Sequence, residues 1–333
     1  MTRPSSPSWD MPLRTRLLVE GLDRAGPPIA EMTPEQIRAS RAWAAPTHAP
    51  FTWVTGPVPR DVAVETSSFT ARDGHEVPVR VYRPKRAALR PRPVLMFFHG
   101  GGWVLGNVRG YDPLCARIAH DASIVVVSVD YRLAPEHRAP TAALDCVDAT
   151  RWVTDQAWRL GVDPAGLGVA GDSAGGNLAA VVSQVVRDEG GADIGYQCLL
   201  YPGVDATMSS PSITLHADAP VLTKADIEAF LGHYIGSGPD ALAPTDPLLS
   251  PLHAPDLSGL PPALVQTADL DPLRDEGAEY ALALQEAGSE VQRTNYPGAP
   301  HGFMSFPGAT SVGRSARREL SDWVIAHTRP SGG

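Results

Sequence analysis

The stretch Gly166-Leu-Gly-Val-Ala-Gly-Asp-Ser-Ala-Gly-Gly176 decides the fold of this 333-residue chain. Its apolar residues 167–170 predict a short buried strand, and the apolar spacing after Gly176 predicts an amphipathic helix. A Gly-x-Ser-x-Gly turn between a strand and a helix is typical of a nucleophile elbow, because glycines on both sides of the serine permit a sharp turn. We therefore predict that Ser173 is a nucleophile at the tip of this turn, the alternative being a structural turn serine.

A second glycine-rich segment, His99-Gly-Gly-Gly-Trp103, follows the strand predicted at 93–98. Consecutive glycines leave backbone N–H groups unshielded, and in ester hydrolases such groups join the N–H after the nucleophile in an oxyanion hole. The alternatives are a flexible loop and a phosphate-binding loop, but the latter requires a Lys-Ser or Lys-Thr pair that this segment lacks. Trp103 is expected either in the core or in the wall of a substrate pocket.

Two acidic residues and one histidine are candidates for the partners of the serine. Asp271 comes after the strand predicted at 262–268, and His301 comes after the strand predicted at 290–296. This is the chain order Ser, Asp, His, and it places both side chains at the same edge of a parallel sheet as the serine. Two alternatives remain open here: Asp271 caps the following helix, or Asp269 orients the histidine instead.

Composition indicates an ordinary enzyme without nucleic-acid partners. The net charge is −9 and no basic run occurs, which argues against nucleic-acid binding. The three cysteines show no metal-binding or redox spacing, which is typical of small core residues in a reduced compartment. The sequence shows no secretory signal and no apolar run long enough to cross a bilayer, so we expect a cytoplasmic protein without stable membrane insertion.

Apolar runs along the chain alternate with helical patterns from residue 110 onward, which predicts an α/β fold with a mostly parallel sheet flanked by helices. A turn at 72–75 joins the first two strands as an antiparallel start. Eight strands are predicted, at 62–70, 76–82, 93–98, 124–129, 167–170, 194–200, 262–268 and 290–296.

The N-terminal region carries a helical stripe of leucines and a capping motif. We predict that a helix at 11–24 lays its leucines over the active site; a membrane-surface helix is the alternative, given three arginines in that segment. Thr33 begins a capping box for a second helix. The leucines of the stripe are Leu13, Leu17, Leu18 and Leu22.

Together these motifs resemble the hormone-sensitive-lipase-like family of α/β-hydrolases, the bacterial family IV esterases. The resemblance covers the chain from about residue 60 to its end. It rests on His99-Gly-Gly-Gly-Trp103, Tyr131-Arg-Leu-Ala-Pro-Glu-His137, Gly171-Asp-Ser-Ala-Gly-Gly176, Asp271-Pro-Leu-Arg-Asp-Glu-Gly277 and His301-Gly-Phe303.

The resemblance implies an α/β-hydrolase fold with an eight-stranded sheet and a helical cap. The chain would divide into an N-terminal cap segment and linker (1–60), the first part of the core (61–203), a cap insertion (204–255) and the second part of the core (256–333). An edge strand at 290–296 and the last helix would form the surface of a homodimer.

The resemblance also implies the chemistry. Ser173 would be the nucleophile, His301 the base and Asp271 its orienting acid, while an oxyanion hole would use the N–H groups of Gly101, Gly102 and Ala174. The expected activity is hydrolysis of small-molecule carboxylic esters with short to medium acyl chains, without metal or organic cofactor. The alternatives are another acyl-transfer enzyme, such as a lactonase or an amidase, and a non-catalytic receptor on the same fold.

Polar residues beside the motifs are expected to support the glycine loop. We predict that Asp172 fixes this loop by a hydrogen bond and that His99 pins it rather than transferring protons. Asp130, Arg132 and Glu136 are predicted to form a buried polar network behind it.

Overall fold

An eight-stranded twisted sheet crosses the middle of the protein in the order β1-β2-β4-β3-β5-β6-β7-β8. The computed structural model describes residues 9–42, 44 and 46–328. The strands are β1 (Val62–Thr70), β2 (Glu76–Pro84), β3 (Arg92–Phe98), β4 (Val125–Val129), β5 (Val162–Asp172), β6 (Tyr196–Leu200), β7 (Ala263–Leu270) and β8 (Val291–Pro300).

The pairing of the strands confirms the predicted sheet. β1 pairs antiparallel with β2, and β2 pairs antiparallel with β4, whereas the strands from β4 to β8 run parallel to one another. β4 and β6 are buried along their whole length, because a parallel sheet has helices on both faces. The carboxyl ends of the parallel strands therefore meet at one edge, where a site can form.

Helices cover both faces of this sheet and continue in two segments outside it. They are α1 (Leu13–Ala25), α2 (Pro34–Arg41), α3 (Phe51–Thr55), α4 (Asp112–Ala122), α5 (Thr141–Asp155), α6 (Ala157–Leu160), α7 (Ala174–Glu189), α8 (Pro211–Leu215), α9 (Lys224–Ile235), α10 (Arg274–Glu286) and α11 (Gly313–Thr328). Apolar residues of α5, α7 and α10 belong to one buried cluster, and those of α4 and α11 belong to another. Across the described ranges, none of these helices has the length and apolarity needed to cross a membrane.

The prediction that the leucine stripe of α1 covers the active site is wrong. Leu13 and Leu17 are 62% and 59% exposed, whereas Thr15 and Val19 on the other face are buried. The Thr15 hydroxyl donates a hydrogen bond to the Ala309 carbonyl at 3.0 Å. Because α1 docks through this narrower face onto the segment before α11, its two outer leucines lie in solvent.

The second helix of the N-terminal region is fixed to the glycine loop. Thr33 and Gln36 form the predicted capping box of α2, and Ile37 of this helix is fully buried. At its end, the Arg41 guanidinium donates a hydrogen bond to the Val104 carbonyl at 2.8 Å. The N-terminal region therefore braces the loop that follows β3.

Segment 204–255 lies over the carboxyl edge of the sheet and contributes α8 and α9. Thr223 and Asp226 form a capping box at the start of α9. Near its end, Tyr234 stacks on Trp103 with ring centroids 4.6 Å apart and planes 4° from parallel. This stacked pair joins α9 to the glycine loop.

Candidate active site

Ser173 lies on a strained turn between β5 and α7. Its backbone has φ 56° and ψ −123°, a conformation that a residue with a side chain rarely adopts. The glycines on both sides of the serine have no room for a side chain. A Cβ on Gly171 would lie 2.1 Å from the Gly175 carbonyl oxygen. A Cβ on Gly175 would lie 1.9 Å from the Phe98 carbonyl oxygen, so neither position accepts alanine without moving backbone.

A chain of two short hydrogen bonds connects this serine to a buried carboxylate. His301 Nε2 lies 2.8 Å from Ser173 Oγ, and His301 Nδ1 lies 2.6 Å from Asp271 Oδ2. Because a carboxylate accepts from Nδ1–H, the neutral imidazole presents its Nε2 lone pair to the serine hydroxyl. Asp271 is fully buried and His301 is 7% exposed, so solvent competes little for either bond.

The two acidic candidates have different hydrogen-bond partners. Asp271 Oδ1 accepts the backbone N–H of Leu273 at 2.9 Å, so this carboxylate supports the turn before α10 as well as the histidine. Asp269 Oδ2 instead accepts the backbone N–H of Gly298 at 3.1 Å. Asp269 therefore ties β7 to the last residues of β8, just before His301.

The glycine loop after β3 adopts backbone conformations that favour glycine. Gly101 has φ 119° and Gly102 has φ 60°, values that favour glycine. A Cβ on Gly101 would lie 2.3 Å from the Leu105 carbonyl oxygen, and one on Gly102 would lie 2.3 Å from the ring of Phe230. Both glycines and Ala174 line the cavity that contains Ser173.

Asp172 fixes the start of this loop, as predicted. Its Oδ1 accepts the backbone N–H of Gly100 at 2.8 Å, and its Oδ2 accepts the Tyr111 hydroxyl at 3.0 Å. Burial raises the pKa of Asp172 to about 6, although both hydrogen bonds and the nearby His301 act in the opposite direction. The loop is thus held by a carboxyl group that titrates near neutral pH.

His99 also holds the loop and is not placed for proton transfer to the serine. Its Nδ1 lies 2.8 Å from the Gly100 carbonyl, and its ring stacks on Tyr131 at 4.3 Å. The Tyr131 hydroxyl donates to the His99 carbonyl at 2.6 Å. Burial lowers the pKa of His99, which favours the neutral ring.

The polar network predicted for Asp130, Arg132 and Glu136 does not form. Arg132 binds the buried carboxylate of Asp145 at 2.6 Å, and Glu136 binds the guanidinium of Arg41 at 2.8 Å. The three residues are close in the chain, but Arg132 pairs with Asp73 and Asp145, and Glu136 pairs with arginines of α2. Glu136 consequently anchors the N-terminal region to the core.

A cavity of about 270 Å³ opens above Ser173 and is mostly apolar. The motifs predicted its floor but not most of its walls. Trp103 lines it, in addition to stacking on α9. Ile227, Phe230 and Leu231 of α9 also line the cavity. Further apolar wall residues are Val221, Leu222, Leu249, Leu273 and Phe306.

Glu276 is a polar wall residue that the sequence did not single out. It is 1% exposed, and its Oε1 accepts the backbone N–H groups of Val204 at 2.6 Å and Asp205 at 3.2 Å. Burial raises the pKa of Glu276 well above its usual range. The motif Asp271-Pro-Leu-Arg-Asp-Glu-Gly277 contained this residue, but nothing in its spacing indicated burial.

The chain shares its fold and sequence with known α/β-hydrolases. Residues 95–305 match the family described as alpha/beta hydrolase fold. Carboxylesterase NlhH of Mycobacterium tuberculosis is 47% identical over 235 residues, which cover 69% of this chain and 72% of that protein. Ethyl acetate hydrolase of Pseudomonas putida is 39% identical over 254 residues, covering 75% of this chain and 79% of that protein.

Solved structures agree with this relationship. The crystal structure of a thermostable esterase from Pseudomonas putida ECU1011 superposes with a TM-score of 0.86 at 33% identity, covering 98% of this chain and all of that one. The match extends through both the core and the segments outside the sheet. The chain belongs to the α/β-hydrolase family, in its hormone-sensitive-lipase-like branch.

Proposed function

We propose that this carboxylesterase hydrolyses esters with short to medium acyl chains by acyl transfer through Ser173, with His301 as general base and Asp271 as its orienting acid. The enzyme class follows from the family and from relatives named as carboxylesterases. The observation that carries the assignment of residues is the pair of short hydrogen bonds from Asp271 through His301 to Ser173.

The first half-reaction forms the acyl-enzyme. His301 Nε2 takes the proton from the Ser173 hydroxyl as Oγ attacks the ester carbonyl carbon. The tetrahedral intermediate collapses when the carbon–oxygen bond to the alcohol breaks and His301 returns the proton to the leaving oxygen. Asp271 keeps the ring in the correct tautomer and stabilises the imidazolium that forms between these steps.

The second half-reaction releases the acid. Water gives its proton to His301 and attacks the acyl carbon, and the bond to Ser173 then breaks as the serine recovers its proton. In both steps the N–H groups of Gly101, Gly102 and Ala174 would stabilise the oxyanion. The positive φ of both glycines and the position of Ala174 at the N-terminus of α7 support this assignment.

The preference for short to medium acyl chains rests on the size of the cavity. A volume of about 270 Å³ is close to the lower end of small-molecule sites and holds a small acyl group together with an alcohol. The ring of Phe230 against Gly102 limits the space beside the reacting carbonyl. No step of this mechanism uses a metal or an organic cofactor.

A panel of aryl esters of graded acyl length tests the substrate range, with the Ser173→Ala variant as control. Activity that is highest for acyl chains of a few carbons and abolished in the variant is expected. Equal turnover of long-chain esters contradicts the chain-length preference, and undiminished turnover by the variant contradicts the mechanism.

We further propose a cytoplasmic homodimer that pairs through the edge of the sheet. The buried free thiols of Cys115, Cys146 and Cys198 fit a reducing compartment. β8 is an edge strand, and among the described residues no strand pairs with its outer side. α11 lies beside it, since Glu319 of this helix accepts hydrogen bonds from Gln292 and Thr294. Sedimentation equilibrium tests the dimer; a monomer at micromolar concentration contradicts it.

A further inference from the structure

One patch of the cavity wall is polar, and it adjoins the nucleophile elbow. Gly203, Asp205, Leu273 and Glu276 all line the cavity. A Cβ on Gly203 would lie 3.5 Å from a Leu273 methyl and 3.8 Å from Glu276 Oε1, so these residues are contiguous. The Gly203 N–H in turn approaches the Ser173 carbonyl at 3.5 Å. A substrate chain of a few atoms therefore reaches this patch from the reacting carbon.

Only one of the two carboxyl oxygens of Glu276 has hydrogen-bond partners among the described residues. Oε1 accepts two backbone N–H groups, from Val204 and Asp205. Oε2 is buried and has no hydrogen-bond partner among the described residues. A buried polar atom without a partner is costly, and Glu276 lines the cavity, so a ligand bound there can supply the partner that Oε2 lacks.

The environment of Glu276 keeps its carboxyl neutral. Burial raises its pKa well above the usual range, and the carboxylates of Asp205 and Asp271 raise it further, against the two backbone donors. Asp205 is itself committed to its own loop and to His253, whose Nε2 lies 2.9 Å from Asp205 Oδ1. Since Oε1 is the acceptor, the proton belongs on Oε2, which makes it a hydrogen-bond donor.

We propose that Glu276 is a specificity-determining residue whose Oε2–H donates a hydrogen bond to an ether, keto or ester oxygen on the substrate, a few atoms from the scissile carbonyl. The preferred substrates would then be oxygen-substituted esters rather than simple alkanoates. This inference rests on the proposed ester hydrolysis. It adds a polar contact within a site that is otherwise lined mostly by apolar side chains.

Two pairs of esters of equal shape test the preference on either side of the ester. The first pair is 4-nitrophenyl methoxyacetate against 4-nitrophenyl butanoate, and the second is 2-methoxyethyl acetate against butyl acetate. Each ratio of kcat/KM is divided by the ratio of hydroxide-catalysed rates, which removes the difference in intrinsic reactivity. We expect the wild-type enzyme to favour the oxygen-containing ester of at least one pair by about three- to tenfold, the value of one neutral hydrogen bond.

Variants then connect the preference to Glu276. Glu276→Gln retains an oxygen for the two backbone donors and an N–H for the substrate, so the preference should remain. Glu276→Met has similar length but no donor, so the corrected ratio should fall to about one. Leu273→Met is the matched control in the same wall and should leave the ratio unchanged.

The outcomes separate this inference from the proposed function. Corrected ratios near one for both pairs in the wild-type enzyme overturn the inference, even if Glu276→Met does not fold. A preference that survives in Glu276→Met, or that is lost in Glu276→Gln, also overturns it. Wild-type enzyme that turns over none of the four esters contradicts the proposed function instead.

Discussion

The charge of Asp172 gives a direct test of how burial acts at this site. The Asp172→Asn change retains the shape of the side chain and an oxygen for the Gly100 N–H, but it removes the ionisable proton. It also turns the atom that accepts the Tyr111 hydroxyl into a donor, which lowers stability by an amount that depends little on pH. The informative quantity is therefore the change of the stability difference with pH.

The magnitude follows from the pKa of Asp172. Burial raises this pKa from its ordinary value of 3.8 to about 6 in the folded protein. The folded state thus holds the proton more tightly than the unfolded state, so stability falls as pH rises from about 4 to about 6. Two units at 1.36 kcal/mol each give a loss of about 3 kcal/mol, of which about 2 kcal/mol falls between about pH 4.5 and about pH 7.5.

Urea unfolding followed by tryptophan fluorescence measures this effect at the two pH values. Because the variant lacks the titrating group, its free energy of unfolding should gain about 2 kcal/mol relative to wild type on going to the higher pH. Asp193→Asn, which removes an exposed carboxylate, is the control for net charge. The reasoning is refuted if the difference in unfolding free energy is equal at both pH values. It is also refuted if the variant becomes less stable relative to wild type at the higher pH.

Three further predictions concern catalysis and the cavity. Ser173→Ala and His301→Ala should each reduce kcat by on the order of 10³-fold or more, and the double variant should lose little more, since the residues act as a unit; additive losses in steady-state assays would contradict the mechanism. Asp271→Asn should be severe and Asp269→Asn mild in the same assay, and the reverse ranking would reassign the acid. Phe230→Ala should remove the ring beside Gly102, lowering kcat/KM for acetate esters by about tenfold while improving bulky acyl groups; an unchanged acyl series would show that this ring does not set the size limit.

The elbow and the glycine loop could be predicted because their causes are local. Gly171 and Gly175 are required by backbone contacts within the turn and with the preceding strand, so the pattern of glycines carries the geometry. Apolar runs likewise indicated all eight strands, although their ends shifted. β5 begins at Val162, five residues before the predicted start at 167, because the extra residues pair with β3 across an irregular register.

The position of the N-terminal region could not be predicted, because an amphipathic pattern does not identify the surface against which a helix packs. The leucine stripe of α1 suggested its widest apolar face, yet Leu13 and Leu17 are exposed and the helix docks through Thr15 and Val19. The ion pair of Glu136 could not be predicted from the sequence either. Its partner Arg41 is distant in the chain, and no local pattern reports such a pair.

Asp271, Asp172 and Glu276 show why burial differs in effect from one acid near Ser173 to the next. Asp271 faces His301, so its charge is matched when the histidine takes the serine proton. Asp172 is bound to the Gly100 N–H and the Tyr111 hydroxyl, which offset its charge when it ionises. Glu276 has no cationic partner among its hydrogen bonds, and burial keeps it neutral. An unmatched anion in this cavity would oppose the negative charge that develops on the ester oxygen. Negative charge is therefore confined to carboxylates that accept hydrogen bonds from N–H or O–H donors. In the proposed mechanism the oxyanion forms opposite backbone N–H groups, and no uncompensated carboxylate among these three lies beside it.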